Sequence, residues 1–176
     1  MDSTITLHEG KYLGLYTRDN WEFARRPNAD CCVGILPITD QGELVLVEQF
    51  RIPVQKSVIE IPAGLVGDEP EFSGESLAES AGRELLEETG YRAGAITHLM
   101  ASPTSAGMTP EITHLFAATK LTKEHEGGGV AGEDIKVHLV PVETLPAFLN
   151  DQLEKGLLID FKIHAALQQA RFMDII

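Results

Sequence analysis

Arg83-Glu84-Leu85-Leu86-Glu87-Glu88-Thr89-Gly90-Tyr91 is the stretch on which the reading of this chain turns. Upstream, Ser76 is followed three residues later by Glu79, a pattern in which hydroxyl and carboxylate close orphan N–H groups at a helix start. Gly90 stands where a helix ends. A helix from about Ser76 to Thr89 is expected. At 3.6 residues per turn, Glu84, Glu87 and Glu88 share one side of it, while Leu77, Ala81, Leu85 and Leu86 form an apolar flank. Three carboxylates so placed repel one another unless cations intervene. The competing reading is a solvated acidic face with Arg83 pairing Glu87 one turn on. Glu75 before the arginine, and Ile61-Pro62-Ala63-Gly64 before that, make the helix a candidate metal site.

Taken with Glu75 and Gly64, the run Arg-Glu-Leu-Leu-Glu-Glu-Thr-Gly-Tyr resembles the signature of the Nudix hydrolases, which cleave nucleoside diphosphates linked to another moiety. One spacing departs from that signature. Ten residues separate Gly64 from Glu75, where the family usually has five, and the surplus falls in Val66-Gly67-Asp68-Glu69-Pro70-Glu71-Phe72-Ser73, a run of loop-forming composition. Loop closure costs grow slowly with length, so the helix is expected to survive the insertion and the rim of the site to change.

A length of 176 residues with 43% hydrophobic composition suits one domain with a sizeable core. No internal repeat is present. The N-terminus lacks a basic n-region and an apolar h-region, and no run approaches 18 apolar residues, so a soluble cytoplasmic protein is expected. Fourteen Lys plus Arg stand against 27 Asp plus Glu, a formal charge of −13, which argues against nucleic acid or an anionic membrane as partner. The same charge would repel a phosphate-bearing substrate unless divalent cations neutralised the site. Cys31 and Cys32 are adjacent, a spacing unsuited to an ordinary disulfide or a zinc pair, and read as small buried hydrophobes. The six histidines show no ligand spacing, and no Gly-x-Ser-x-Gly or P-loop pattern occurs.

Three short β-prone runs, Thr4 to Leu7, Tyr12 to Thr17 and Trp21 to Ala24, predict a small antiparallel sheet. Strands are expected over about Asp30 to Ile38, Glu43 to Phe50, Val58 to Ile61, Ala95 to Ala101, Ile112 to Thr119 and Ile135 to Val140. A short helix is expected over Thr144 to Asn150, and an amphipathic one closes the chain over residues 160 to 173. Helices before and after a mixed sheet give an α/β/α sandwich. The expected division is 1–28 as an N-terminal, dimerising β-sheet segment and 29–176 as the catalytic domain.

Glu48-Gln49-Phe50-Arg51, Glu60-Ile61-Pro62-Ala63-Gly64 and Gly132-Glu133-Asp134-Ile135-Lys136-Val137 are similar to segments of ADP-ribose pyrophosphatases and nucleotide-sugar diphosphatases. That resemblance, over roughly residues 20 to 165, implies a homodimer that exchanges its N-terminal sheets, with Trp21 stacking on a nucleobase, a task suited to a large ring. It also implies Mg²⁺, or Mn²⁺, on Glu84, Glu88 and the Ala63 carbonyl, with Glu87 in the inner or outer shell. Glu133, beside a glycine-rich span free to move, would position or deprotonate water. Glu111 matches an acid that accepts hydrogen bonds from sugar hydroxyls. Arg83 would orient Glu87, and Arg51, a forked donor at a strand end, would hold diphosphate oxygens. Asp160-Phe161-Lys162 is reminiscent of nucleotide-sugar diphosphatases, against plain capping by Asp160 with a solvated Lys162. The implied substrates are nucleoside diphosphate sugars and ADP-ribose. A strict ADP-ribose pyrophosphatase is the alternative, and a non-catalytic nucleotide-binding sensor is the alternative of another class.

Overall fold

β4 (Cys31–Pro37) carries seven residues, of which the last five are buried, because it runs through the middle of the molecule with both faces covered. Its alternation divides the core. Val33 and Ile35 meet Ala81 and Leu85 of α1 (Leu77–Thr89) together with Phe116 and Ala118 of β9 (Ile112–Lys123). Leu36, with Leu115 and Ala117 of β9, joins the larger cluster on the other side. That cluster is completed by Leu44 and Leu46 of β5 (Glu43–Arg51), Ile59 of β6 (Lys56–Glu60), Leu145 and Leu149 of α2 (Leu145–Glu154), and Ile163 and Ala166 of α3 (Phe161–Phe172). Period-two alternation on strands between helices thus produces the expected α/β/α layering.

This computed structural model describes residues 4–29, 31–67, 70–72, 74–130 and 132–176. The expected strand start at Asp30, and Asp68, Glu69 and Ser73 of the insertion, lie outside the described residues, as does Ala131 of the glycine-rich span. The strands form two mixed four-stranded sheets rather than one. With β7 (Ala63–Leu65), β8 (Tyr91–Pro103), β10 (Lys136–Pro141) and β11 (Leu158–Ile159) added, their orders are β7-β4-β9-β8 and β10-β5-β6-β11. Each contains one parallel pair, β4 with β9 and β6 with β11. A third sheet, β1 (Ile5–Glu9), β2 (Gly14–Arg18) and β3 (Trp21–Arg25), is the antiparallel meander expected at the N-terminus.

β7 falls where no strand was expected. It pairs antiparallel with β4 in the register Gly34↔Ala63 and Cys32↔Leu65, which fixes the backbone at Ala63 and Gly64. α1 begins as predicted, with Ser76 and Glu79 reciprocally bonded in a capping box, and it ends on Gly90 at φ +74°.

Candidate active site

Arg83 is the hub of the helix surface. Its Nε donates to both Glu75 oxygens at 3.2 Å, and its Nη1 donates to Glu84 Oε1 at 2.9 Å and Glu87 Oε2 at 3.1 Å. Phe72, in the inserted segment, lays its ring 4.2 Å from the guanidinium carbon. The pairing with Glu87 is the one expected from four-residue spacing; the grip on Glu75 and Glu84 goes beyond it. Glu84 in turn lies against Gly64, where an added Cβ would stand 1.9 Å from the carboxyl carbon, so a side chain at 64 would displace the Glu84 carboxylate.

Glu88 is 5% exposed and accepts a hydrogen bond from the Ala63 N–H at 3.2 Å. Burial, with the charges of Glu84 and Glu133 behind it, pushes its carboxyl up to about 8 against the opposing Ala63 hydrogen bond and Arg51 charge. A buried carboxyl crowded by two others fits an oxygen-seeking divalent cation, as does the wholly oxygen donor set of Glu84, Glu87, Glu88, Glu133 and the Ala63 carbonyl. Among the described residues no three acidic, histidine or cysteine side chains are already drawn into a cation-binding group. The hydrogen bonds explain why: Arg83 holds Glu84 and Glu87, Ala63 holds Glu88, and the Val130 N–H holds Glu133 at 2.9 Å.

The glycine-rich span differs from the free segment expected. Gly128 and Gly129 donate backbone N–H groups to the carbonyls of Glu88 and Glu87, at 2.8 and 3.1 Å. The last carbonyls of a helix lack internal partners, and here the loop satisfies two of them, which ties Glu133 to the helix end. Arg51 also has a partner that sequence reasoning missed. Its fork closes on Glu60, Nε to Oε1 at 2.5 Å and Nη2 to Oε2 at 2.9 Å, and this pair raises the guanidinium pKa further.

A cleft of about 790 Å³ brings together Ala63, Glu84, Glu87, Glu88 and Glu133 with Arg51, Arg83, Glu111 and Lys162. Asp160 is outside the lining; it caps α3 through the Lys162 N–H and also binds the Lys162 ammonium, so the lysine is paired rather than merely solvated. Trp21 is also outside the lining, 64% exposed, with its indole N–H on the Gly107 carbonyl at 3.0 Å. Cys32, expected to be a buried hydrophobe, is half-buried in the cleft wall, as are Arg26 and Thr104, while Thr113 beside them is buried; for these last three the sequence carried no local signal.

Residues 31–161 match the family model described as the NUDIX domain, and the chain belongs to the Nudix hydrolases. Among curated relatives, it is 34% identical over 159 residues to an ADP-ribose pyrophosphatase of Bacillus subtilis (strain 168), covering 84% of this chain and 77% of the relative. It is 34% identical over 137 residues to a GDP-mannose pyrophosphatase of Pectobacterium atrosepticum, covering 73% and 68%. Its fold is shared with a solved structure described as an ADP compounds hydrolase, at a TM-score of 0.75 and 21% identity over 97% of this chain and 91% of that one. Among the described residues, no helix is long and apolar enough to cross a membrane.

Proposed function

We propose that this protein hydrolyses the diphosphate bond of nucleoside diphosphate sugars and of ADP-ribose in the presence of Mg²⁺, releasing a nucleoside monophosphate and a sugar phosphate. The observation that carries this reading is the cleft itself, in which the carboxylates of α1 and Glu133 face the same space as Arg51 and Glu111. The names borne by the relatives, one acting on ADP-ribose and one on GDP-mannose, agree with it.

Glu84, Glu87, Glu88, Glu133 and the Ala63 carbonyl are the groups that would hold the cation. When bound, such a cation neutralises diphosphate charge and makes water a better nucleophile. The protein's own part is orientation. Arg83 sets Glu84 and Glu87, Arg51 contributes positive charge beside Glu88, and Glu133 accepts the proton of the attacking water. Lys162 and Asp160 serve the sugar phosphate side, and Trp21 receives the base in a homodimer built by the N-terminal sheets.

A panel of ADP-ribose, GDP-mannose and ADP-glucose, with Mg²⁺, Mn²⁺ or chelator, tests the reading. Lys162→Ala should lower activity on sugar nucleotides more than on ADP-ribose. Equal losses, or no hydrolysis of any hexose nucleotide by the parent, would return the protein to strict ADP-ribose hydrolysis. Nucleotide binding without turnover of any substrate would make it a sensor.

A further inference from the structure

The long run between Gly64 and Glu75 ends in a clamp on the signature helix. Pro70–Phe72 forms one 3-10 turn, and the Phe72 carbonyl accepts the Glu75 N–H at 3.1 Å. Glu75 takes the Arg83 Nε–H on its side chain, and the guanidinium carbon of Arg83 stands over the Phe72 ring, 4.2 Å from its centre. Phe72 therefore meets Arg83 twice, by its backbone through Glu75 and directly by its ring. It is half-buried and lines the cleft beside Glu84 and Glu87.

A guanidinium donates only around its edge, and its flat faces are left for stacking. At Arg83 the edge is committed. Nε serves Glu75, Nη1 serves Glu84 and Glu87, and Nη2 points to Ser80 Oγ at 3.5 Å. The hydroxyl cannot offset charge, so three carboxylates on the edge and one ring on the face are what stabilise this cation.

Two of those carboxylates, Glu84 and Glu87, are also groups that would hold the metal. Whatever they give to a divalent cation they withdraw from Arg83, which then lies beside a second positive charge. The Arg83 side chain is 17% exposed, so water offsets little of that loss. Glu75 and the Phe72 ring are the partners that remain, and an aromatic face attracts a desolvated cation more strongly than a hydrated one. The ring accordingly contributes more with metal bound than without it. Without the ring, Arg83 on its flexible stem is free to follow Glu84 and Glu87 and compete with the metal for them.

We propose that Phe72, supplied by the longer loop, is a positioning residue of the cation site: by holding Arg83 from one face, it allows Glu84 and Glu87 to leave the arginine for the metal. Phe72 acts through Arg83 and not on the substrate. The proposal rests on the metal-dependent reading above.

The test is Mn²⁺ uptake by the substrate-free protein, followed through the paramagnetic resonance signal of the unbound ion, in the parent, Phe72→Leu, Phe72→Tyr, Arg83→Gln and the Phe72→Leu, Arg83→Gln double variant. Phe72→Leu should weaken Mn²⁺ binding about tenfold, and the ADP-ribose hydrolysis it loses at limiting Mg²⁺ should return when Mg²⁺ is raised. Phe72→Tyr keeps the ring and should bind as the parent does. With Arg83→Gln the ring has no cation to face, and adding Phe72→Leu should cost nothing further. Unchanged Mn²⁺ binding in Phe72→Leu, an equal loss in Phe72→Tyr, or a full additional loss in the double variant overturns the proposal. If the parent takes up no Mn²⁺, the metal reading fails by itself, and the Arg83 Nε–H signal in the nitrogen-15 spectrum of the chelated protein decides the clamp. That proton should exchange slowly with solvent in the parent and in Phe72→Tyr and faster in Phe72→Leu, whereas equal exchange in all three overturns the clamp.

Discussion

A carboxyl group shut away from water, with one backbone N–H for a partner and two like charges close by, keeps its proton beyond the usual carboxylate range, and Glu88 is in that position. In chelator, its pKa in the folded protein lies above its unfolded value, so the folded chain binds the extra proton. The resulting stability is full below the ordinary carboxylate pKa, near 4.5, and is lost as pH rises through about 8. The melting temperature of the chelated protein should therefore fall from pH 5 to pH 9, and Glu88→Gln, which never ionises, should fall less. Parallel curves for the two proteins would refute the origin assigned to the shift. The same variant keeps shape but removes the charge of a group proposed to hold the cation. Its Mg²⁺-dependent hydrolysis should drop by more than about a hundredfold, roughly 2.7 kcal/mol in the barrier, with its circular dichroism unchanged. Near-normal turnover would remove Glu88 from the metal site.

Among the elements, α1 and its exit turn carry most of the site, and they were legible because their signals are local. Ser76, Glu79, the carboxylate spacing and Gly90 all lie within one helix length. Gly90 combines two constraints, a positive φ and a close approach, since an added Cβ would stand 1.9 Å from the His125 carbonyl oxygen. Gly90→Ala should lose on the order of 2 kcal/mol or more in chemical denaturation. Gly90→Asn should be no better, because asparagine tolerates the dihedral but not the contact; recovery with asparagine would show that the dihedral alone matters. What could not be read locally is what distant strands bring together. β7 is a strand only because β4 offers an edge to it. Glu60 acquires its role from Arg51 across a hairpin, and Cys32 meets Thr113 only when β4 and β9 lie side by side. Their adjacency made the two cysteines look like inert filling, and the strand register places one of them in the cleft.

For the whole molecule, the N-terminal sheet is the part least able to stand by itself. All five residues of β1 are exposed, and Ile5, Leu7, Tyr12, Leu13 and Trp21 leave large apolar groups in solvent. Three short strands do not bury a core. A homodimer formed through this sheet is the expected state, and deletion of residues 1 to 26 should yield monomers that bind nucleotide poorly. Sedimentation of the intact protein as a monomer at micromolar concentration would end that expectation. The strand pairings also set the order of assembly. Cys32 meets Thr113 across 81 residues, and Glu48 meets Lys136 across 88, while the β6 edge waits for Leu158 and Ile159. Closing such distant pairs makes folding slow, in the range of milliseconds to seconds. On the ribosome, the signature helix can emerge and coil while the second sheet still lacks two of its four strands. A nascent chain halted short of Leu158 would hold every carboxylate of the candidate site and still expose the apolar edge of β6, leaving it a client for chaperones rather than an enzyme.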